Sequence, residues 1–335
     1  MKRGPLLGAG ALLITIAAVI IGLDDISRIL GRITPLELAL LTALQLFTIF
    51  LTSYIWFFLL KQKTAAVSIF NVFLINMAGV FVESVTPSAK IGGETMKIYL
   101  MRRESSLSYQ DLTSIMIVSK FYSLLPFLII SLLTLGSALL FVTLPPVVYA
   151  AFLGLAIIIC LIGLFFSLHR VRGGRLVQAV RKIGTPHHHP ISVKILGKLA
   201  AAHAFLSDAS ATSRTLITNP HNGAYLFLLG FIVWAFYPVK VYLVAAMLGY
   251  EISLMLVIIA TYTAYLVSMI PLLPGGLLTF EGSMVLVLVS GGLILPEAFS
   301  IAIMARVVTF WIPLLISAAV TLLLVRRSLA RVPSA

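Results

Sequence analysis

Lys90, Glu94 and Lys97 stand at i, i+4 and i+7, so a helix carrying them presents all three on one face. They belong to the stretch VESVTPSAKIGGETMKIYLMRR, residues 82–103, which also holds Glu83 and the adjacent Gly92 and Gly93. A second stretch, SMIPLLPGGLLTFEGSMV at 268–285, places Pro274, Gly275 and Gly276 ahead of Glu281. Lys120, Lys240 and Arg306 each fall inside an apolar run. Lys120 and Arg306 sit roughly 12 Å and 10 Å into theirs, at 1.5 Å per residue. A charge at the centre of a membrane helix costs at least ~2.5–3.5 kcal/mol, so such groups are expected to have work to do. Lys90, Lys97, Lys120, Lys240 and Arg306 outnumber Glu83, Glu94 and Glu281. Mutual pairing leaves a positive surplus, which a guest carrying negative charge would neutralise.

Each charge also has a plainer reading. Glu94 with Lys97, and Glu281 with Arg306, can be ion pairs that only pin helices together. Lys240 can snorkel to the outer interface. The breaks themselves suggest more. Thr86-Pro87 reads as a helix start, with Thr as N-cap and Pro at the first position. Pro274-Gly275-Gly276 is expected to open a matching half-helix, with Glu281 one to two turns into it. Two half-helix N-termini pointing at each other would each offer free N–H groups and a positive dipole end to an anion.

The elements that must position these groups are apolar helices. The chain is 60% hydrophobic and 10% charged, with a mean hydropathy of +1.10. Its runs approach the ~20 residues that span a bilayer, and they are continuous, not alternating as in a β-barrel. Full spans are expected at 5–23, 36–60, 112–135, 145–168, 223–247 and 299–325. Lys2 and Arg3 precede the first without a small-residue cleavage site, the pattern of an uncleaved span. Regions 65–101 and 253–293 are longer and broken by Pro and Gly.

Of 24 Lys and Arg residues, 17 cluster at the N-terminus, at Lys61 and Lys63, at Arg102 and Arg103, in 169–222, and in the C-terminal tail. The positive-inside rule puts all of these in the cytoplasm, with both termini. Region 65–101 then begins and ends inside, whereas 253–293 begins and ends outside. The expected fold is an all-α polytopic membrane protein with about six full spans plus two broken re-entrant helical hairpins related as inverted repeats. It is read as a single transmembrane domain over 1–335, with a first half about 24–168, a second half about 223–325, and a basic cytoplasmic loop about 169–222.

Several classes drop out. The net charge of +13 flanks apolar spans, so it reads as topology and lipid-headgroup contact, not as nucleic-acid binding. Cys160 is the single cysteine, which excludes a disulfide framework. His187–His189 lie in a Gly/Pro-flanked loop and read as a solvated linker, so no metal is expected. Residues 192–216 read as an interfacial helix or a solvated connector. No Gly-Lys-Ser/Thr phosphate loop is present, and no cofactor is expected.

At its charged stretches the chain resembles a known family. TPSAKIGGETMKIYLMRR, PLLPGGLLTFEGSMV and ARVVTFWIP resemble, in order, three motifs of the transmembrane region of lysylphosphatidylglycerol synthases. Gly92, Gly93, Glu94, Tyr99 and Arg103 match the first motif. Pro274, Gly275, Gly276, Glu281 and Gly282 match the second, and Arg306 and Trp311 the third. The family includes the flippase half of the multiple peptide resistance factor and stand-alone membrane proteins of similar length. The resemblance implies movement of a phospholipid or polyprenyl-linked lipid between leaflets of the plasma membrane. Where members often carry a Glu-Arg…Asp cluster, this chain reads VSKFYSLL, with Lys120 the only charge.

Three functions stay in view. The first is a lipid flippase whose central polar site is built from Lys90, Gly92, Gly93, Glu94, Lys97, Lys120, Pro274, Gly275, Gly276, Glu281 and Arg306. The second is an accessory subunit of a lipid-modifying or glycosyl-transfer enzyme. The third, a membrane-embedded lipid enzyme, lacks an intramembrane His or a paired Asp to serve it. Membrane lipids are the expected partners. A homo-oligomer and an enzyme partner stay open.

Overall fold

A computed structural model describes residues 31–64, 66–86, 91–141, 146, 149, 153–154, 220–269 and 274–330. The expected spans 5–23 and 145–168 and nearly all of loop 169–222, with Cys160 and His187–His189, lie outside these residues, apart from a few positions. Every regular element among the described residues is helical. In chain order they are α1 (Pro35–Lys61), α2 (Ile69–Val85), α3 (Ile91–Glu104), α4 (Tyr109–Phe141), α5 (Pro220–Met247), α6 (Leu254–Ser268), a short turn at Pro274–Gly276, α7 (Thr279–Ser290), α8 (Leu295–Arg306), a π-helical turn at Val307–Trp311, and α9 (Ile312–Ala330). Four stretches are long and apolar enough to cross a membrane: Pro35–Lys61, Tyr109–Ala138, Pro220–Met247 and Leu295–Arg326.

Short polar residues set the boundaries. Thr34 accepts from Glu37 N–H while Glu37 Oε2 accepts from Thr34 N–H, a capping box with Pro35 at the first helical position. Ser68 and Ser253 cap α2 and α6 by accepting from Asn71 N–H and Leu256 N–H. Ser108 accepts from Asp111 N–H before α4 and donates to its carboxylate.

Proline leaves the carbonyl four residues earlier without its helical donor, and lipid offers no replacement. The protein supplies one. Pro238 orphans Trp234 O, which accepts from Tyr262 OH at 3.1 Å. Pro313 orphans Thr309 O inside the π-helical turn, and Gln45 Nε2 reaches it at 3.4 Å. Near Pro126, Trp234 Nε1 donates to Ser123 O at 2.7 Å. Gly230 lies so close to Tyr122 O that a Cβ would collide with it. The α4 and α5 backbones therefore pack tightly there, as small residues allow in membranes.

The helix α1 is the hub, touching α2, α4, α5, α9 and the π-helical turn. The two arms of each broken region pack on one another, α2 on α3 and α6 on α7. One apolar cluster, around Ile55, Trp56, Ile75, Met101 and Ile115, serves α1–α4 and takes in Leu226 and Leu229 of α5. A larger one, around Tyr262, Phe280, Met284 and Ile301, serves α5–α8 and takes in Leu41 of α1 and Phe127 of α4. A third joins the breaks: Phe81, Val82 and Val85 from the end of α2 pack with Leu277, Phe310 and Leu314.

Candidate functional site

Thr86 ends α2 in an extended conformation (φ −113°, ψ 132°), its N–H and hydroxyl both bonded to Val82 O. Residues 87–90, with the expected helix start at Pro87 and with Lys90, lie outside the described residues. The α3 helix brings Glu94 and Lys97 to one face. Lys97 Nζ is 2.8 Å from Glu94 Oε1, and Lys120 Nζ from α4 lies 2.6 Å from the same oxygen. Two ammonium groups thus share one carboxylate oxygen, while Glu94 Oε2 is buried without a hydrogen-bond partner among the described residues. Lys97 also donates to Asn76 Oδ1 at 3.3 Å, and Asn76 Nδ2 to Ser53 on α1 at 2.8 Å. The Lys97 side chain is 9% exposed and that of Lys120 is 35% exposed, so the second ammonium keeps an open side.

Glycines make this approach possible. A Cβ on Gly93 would sit 2.5 Å from Gly79 O, and one on Gly79 would sit 2.6 Å from Lys97 Cγ. Gly92 lies beside Gly93 in the first turn of α3. Glu83, near the end of α2, faces Gly93, where an added Cβ would lie 2.9 Å from Glu83 Cβ.

Pro274-Gly275-Gly276 does not open a half-helix, contrary to the sequence expectation. Gly275 (φ 61°) and Gly276 (φ 68°) are left-handed, Leu278 follows at φ 65°, and α7 begins only at Thr279. Successive left-handed residues cannot propagate a right-handed helix. Glu281 therefore stands in the first turn of α7, not one to two turns in. Its Oε1 accepts from Arg306 Nε at 2.8 Å, and Arg306 Nη2 donates to Gly275 O at 2.5 Å. The guanidinium lies 4.7 Å from the Phe280 ring centroid and 4.4 Å from that of Phe310. A Cβ on Gly275 would strike the Phe310 ring. Arg306 is thus held by two hydrogen bonds and two nearby rings, and Glu281 Oε2 has no hydrogen-bond partner among the described residues.

Lys240 does not snorkel. It is 1% exposed because α5 turns it toward α1. Its Nζ donates to Gln45 Oε1 at 2.5 Å and Thr48 Oγ1 at 3.2 Å, and lies 4.0 Å from the Tyr237 ring centroid. Edge-to-face rings continue from Tyr237 to Tyr265 at 4.7 Å and on to Phe280 at 5.0 Å, which lies beside Arg306. Sequence reasoning did not single out Gln45, Thr48, Ser53, Asn76 or Tyr237. The signal was there for α1: Gln45, Thr48 and Thr52 recur at helical spacing within an otherwise apolar span.

Long apolar helices, tight glycine contacts and charged groups at helix breaks define a multi-pass helical membrane protein. The family described as "Lysylphosphatidylglycerol synthase TM region" matches residues 6–317, and the chain belongs to it. A UPF0104 membrane protein of Methanothermobacter thermautotrophicus is 25% identical over 316 residues, 90% of this chain and 91% of that protein. One of Pyrococcus horikoshii is 24% identical over 325 residues, 94% of this chain and 95% of that protein. No solved structure matches the chain.

Proposed function

We propose that this protein moves a lipid with a phosphate-bearing headgroup between the leaflets of the plasma membrane. The observation that carries the reading is the pair of ammonium groups on Glu94 Oε1, one of them still open on a side. A headgroup phosphate docks on Lys120 and completes the neutralisation that Glu94 alone does not. The bare Oε2 of Glu94 would take an amine or hydroxyl of the same headgroup. The acyl or prenyl chains stay in the bilayer. Glu281 and Arg306 hold the turn at Pro274–Gly276 in place beside the path.

The broken regions act as re-entrant hairpins entering from opposite faces, as inverted repeats, with both termini cytoplasmic. Arm lengths favour this. At ~1.5 Å per residue, α6 and α7 extend about 22 Å and 18 Å, short of the ~30 Å hydrocarbon core. The apolar cluster of Val82, Val85, Leu277 and Phe310 is where the two breaks would meet.

Native mass spectrometry of gently extracted protein tests the ligand class. A phosphate-bearing lipid should copurify with the wild type and be depleted in Lys120→Ala. Retention of that lipid by Lys120→Ala at the wild-type level would contradict docking there.

A further inference from the structure

Among the described cations inside apolar helices, Lys97 and Lys120 share Glu94 and Arg306 has Glu281. Lys240 differs. Its contacts are the Gln45 amide oxygen, the Thr48 hydroxyl and the face of Tyr237, and no carboxylate bonds it among the described residues. A residue serving only to pin α5 to α1 would be held at lower cost by apolar packing or by a carboxylate, as in the other two clusters. The surrounding groups share one chemical trait. The Gln45 amide, the Thr48 hydroxyl and the Tyr237 hydroxyl can all donate as well as accept. The Gln45 amide is loosely anchored on its nitrogen side, where the contact to Thr309 O is 3.4 Å.

We propose that Lys240, Gln45, Thr48 and Tyr237 form a second oxyanion subsite for a phosphodiester or free phosphate, closed on itself in this structure. One ammonium, one amide and two hydroxyls give a net single positive charge and four donors, the Thr48 hydroxyl turning from Gln45 O to the anion. When an anion arrives, the amide turns its nitrogen toward it and leaves Thr309 O. That frees the π-helical turn three residues after Arg306, so filling this subsite is felt at the last span. The proposal rests on the reading that the chain moves a lipid, with Lys120 as first station and Lys240 as second.

Gln45→Glu separates a subsite from a strut. It keeps the shape and strengthens the contact to Lys240, yet it neutralises the charge an anion needs. The experiment is equilibrium dialysis of purified protein with radiolabelled dihexanoyl-phosphatidylglycerol, a water-soluble phosphodiester, and separately with inorganic phosphate. It is run on Lys120→Ala protein, which removes the first station, and on the same protein carrying Gln45→Glu or Lys240→Met. The parent should bind a probe. Both further changes should weaken binding about tenfold or more, the loss expected for one charge-assisted contact. Gln45→Glu should keep or raise the melting temperature, so it carries the test even if Lys240→Met folds poorly. Binding of the phosphatidylglycerol assigns the subsite to lipid. Binding of phosphate alone leaves the subsite standing while the lipid reading falls. No binding of either probe, or undiminished binding by the Gln45→Glu protein, overturns the proposal.

Discussion

Arg306 and Lys120 are both cations in apolar helices, and their surroundings give them different work. Arg306 bonds Glu281 and Gly275 O, and its guanidinium lies near the Phe280 and Phe310 rings. Arg306→Met should therefore act on stability first. It leaves Glu281 buried without its partner, a loss of about 3–5 kcal/mol. Adding Glu281→Leu should restore much of it, read as the melting temperature in detergent. Lys120 shares its acid with Lys97 and is partly open, so Lys120→Ala should leave the melting temperature nearly unchanged. Its effect should fall on lipid binding, by about tenfold or more. The charged residues were legible because charge in an apolar run is conspicuous. Lys240 was misread because a snorkelling lysine and a buried one look alike until α1 is seen to bring Gln45 and Thr48 against it.

At the scale of elements, Pro and Gly marked the two breaks correctly, and the long spans 36–60, 112–135, 223–247 and 299–325 all exist as helices, most of them longer than expected. The internal geometry of the second break was not legible. Pro-Gly-Gly suits a helix start and a left-handed turn equally well, and the contact of Gly275 with Phe310 of the last span decides between them. Gly275→Ala tests that geometry. Its φ of 61° disfavours any Cβ, and the new methyl would displace the Phe310 ring. A loss of about 1–3 kcal/mol is expected, comparable to overpacking a core. Gly282→Ala, with open space around its Cβ, is the control and should be close to neutral. The π-helical turn was also hidden, although Pro313 in the last span was its local cause.

At the scale of the molecule, the proposed topology puts both breaks within the membrane and both termini in the cytoplasm, as positive-inside counting favours. Single cysteines placed at Val85 and Leu277, in a Cys160→Ser background, should resist a membrane-impermeant reagent added to either side of oriented vesicles. Full labelling from bulk solution on one side would mean the hairpins are not re-entrant. The central claim concerns what passes between those breaks. Purified protein in liposomes holding a fluorescent phosphatidylglycerol, quenched from outside with dithionite, reports leaflet exchange directly. The account predicts that the wild type exposes the inner-leaflet lipid to the quencher without any added partner or nucleotide, and that Lys120→Ala slows this about tenfold or more. Quenching that stops at the outer leaflet with well-folded wild-type protein, or exchange that continues unchanged in Lys120→Ala, would contradict it.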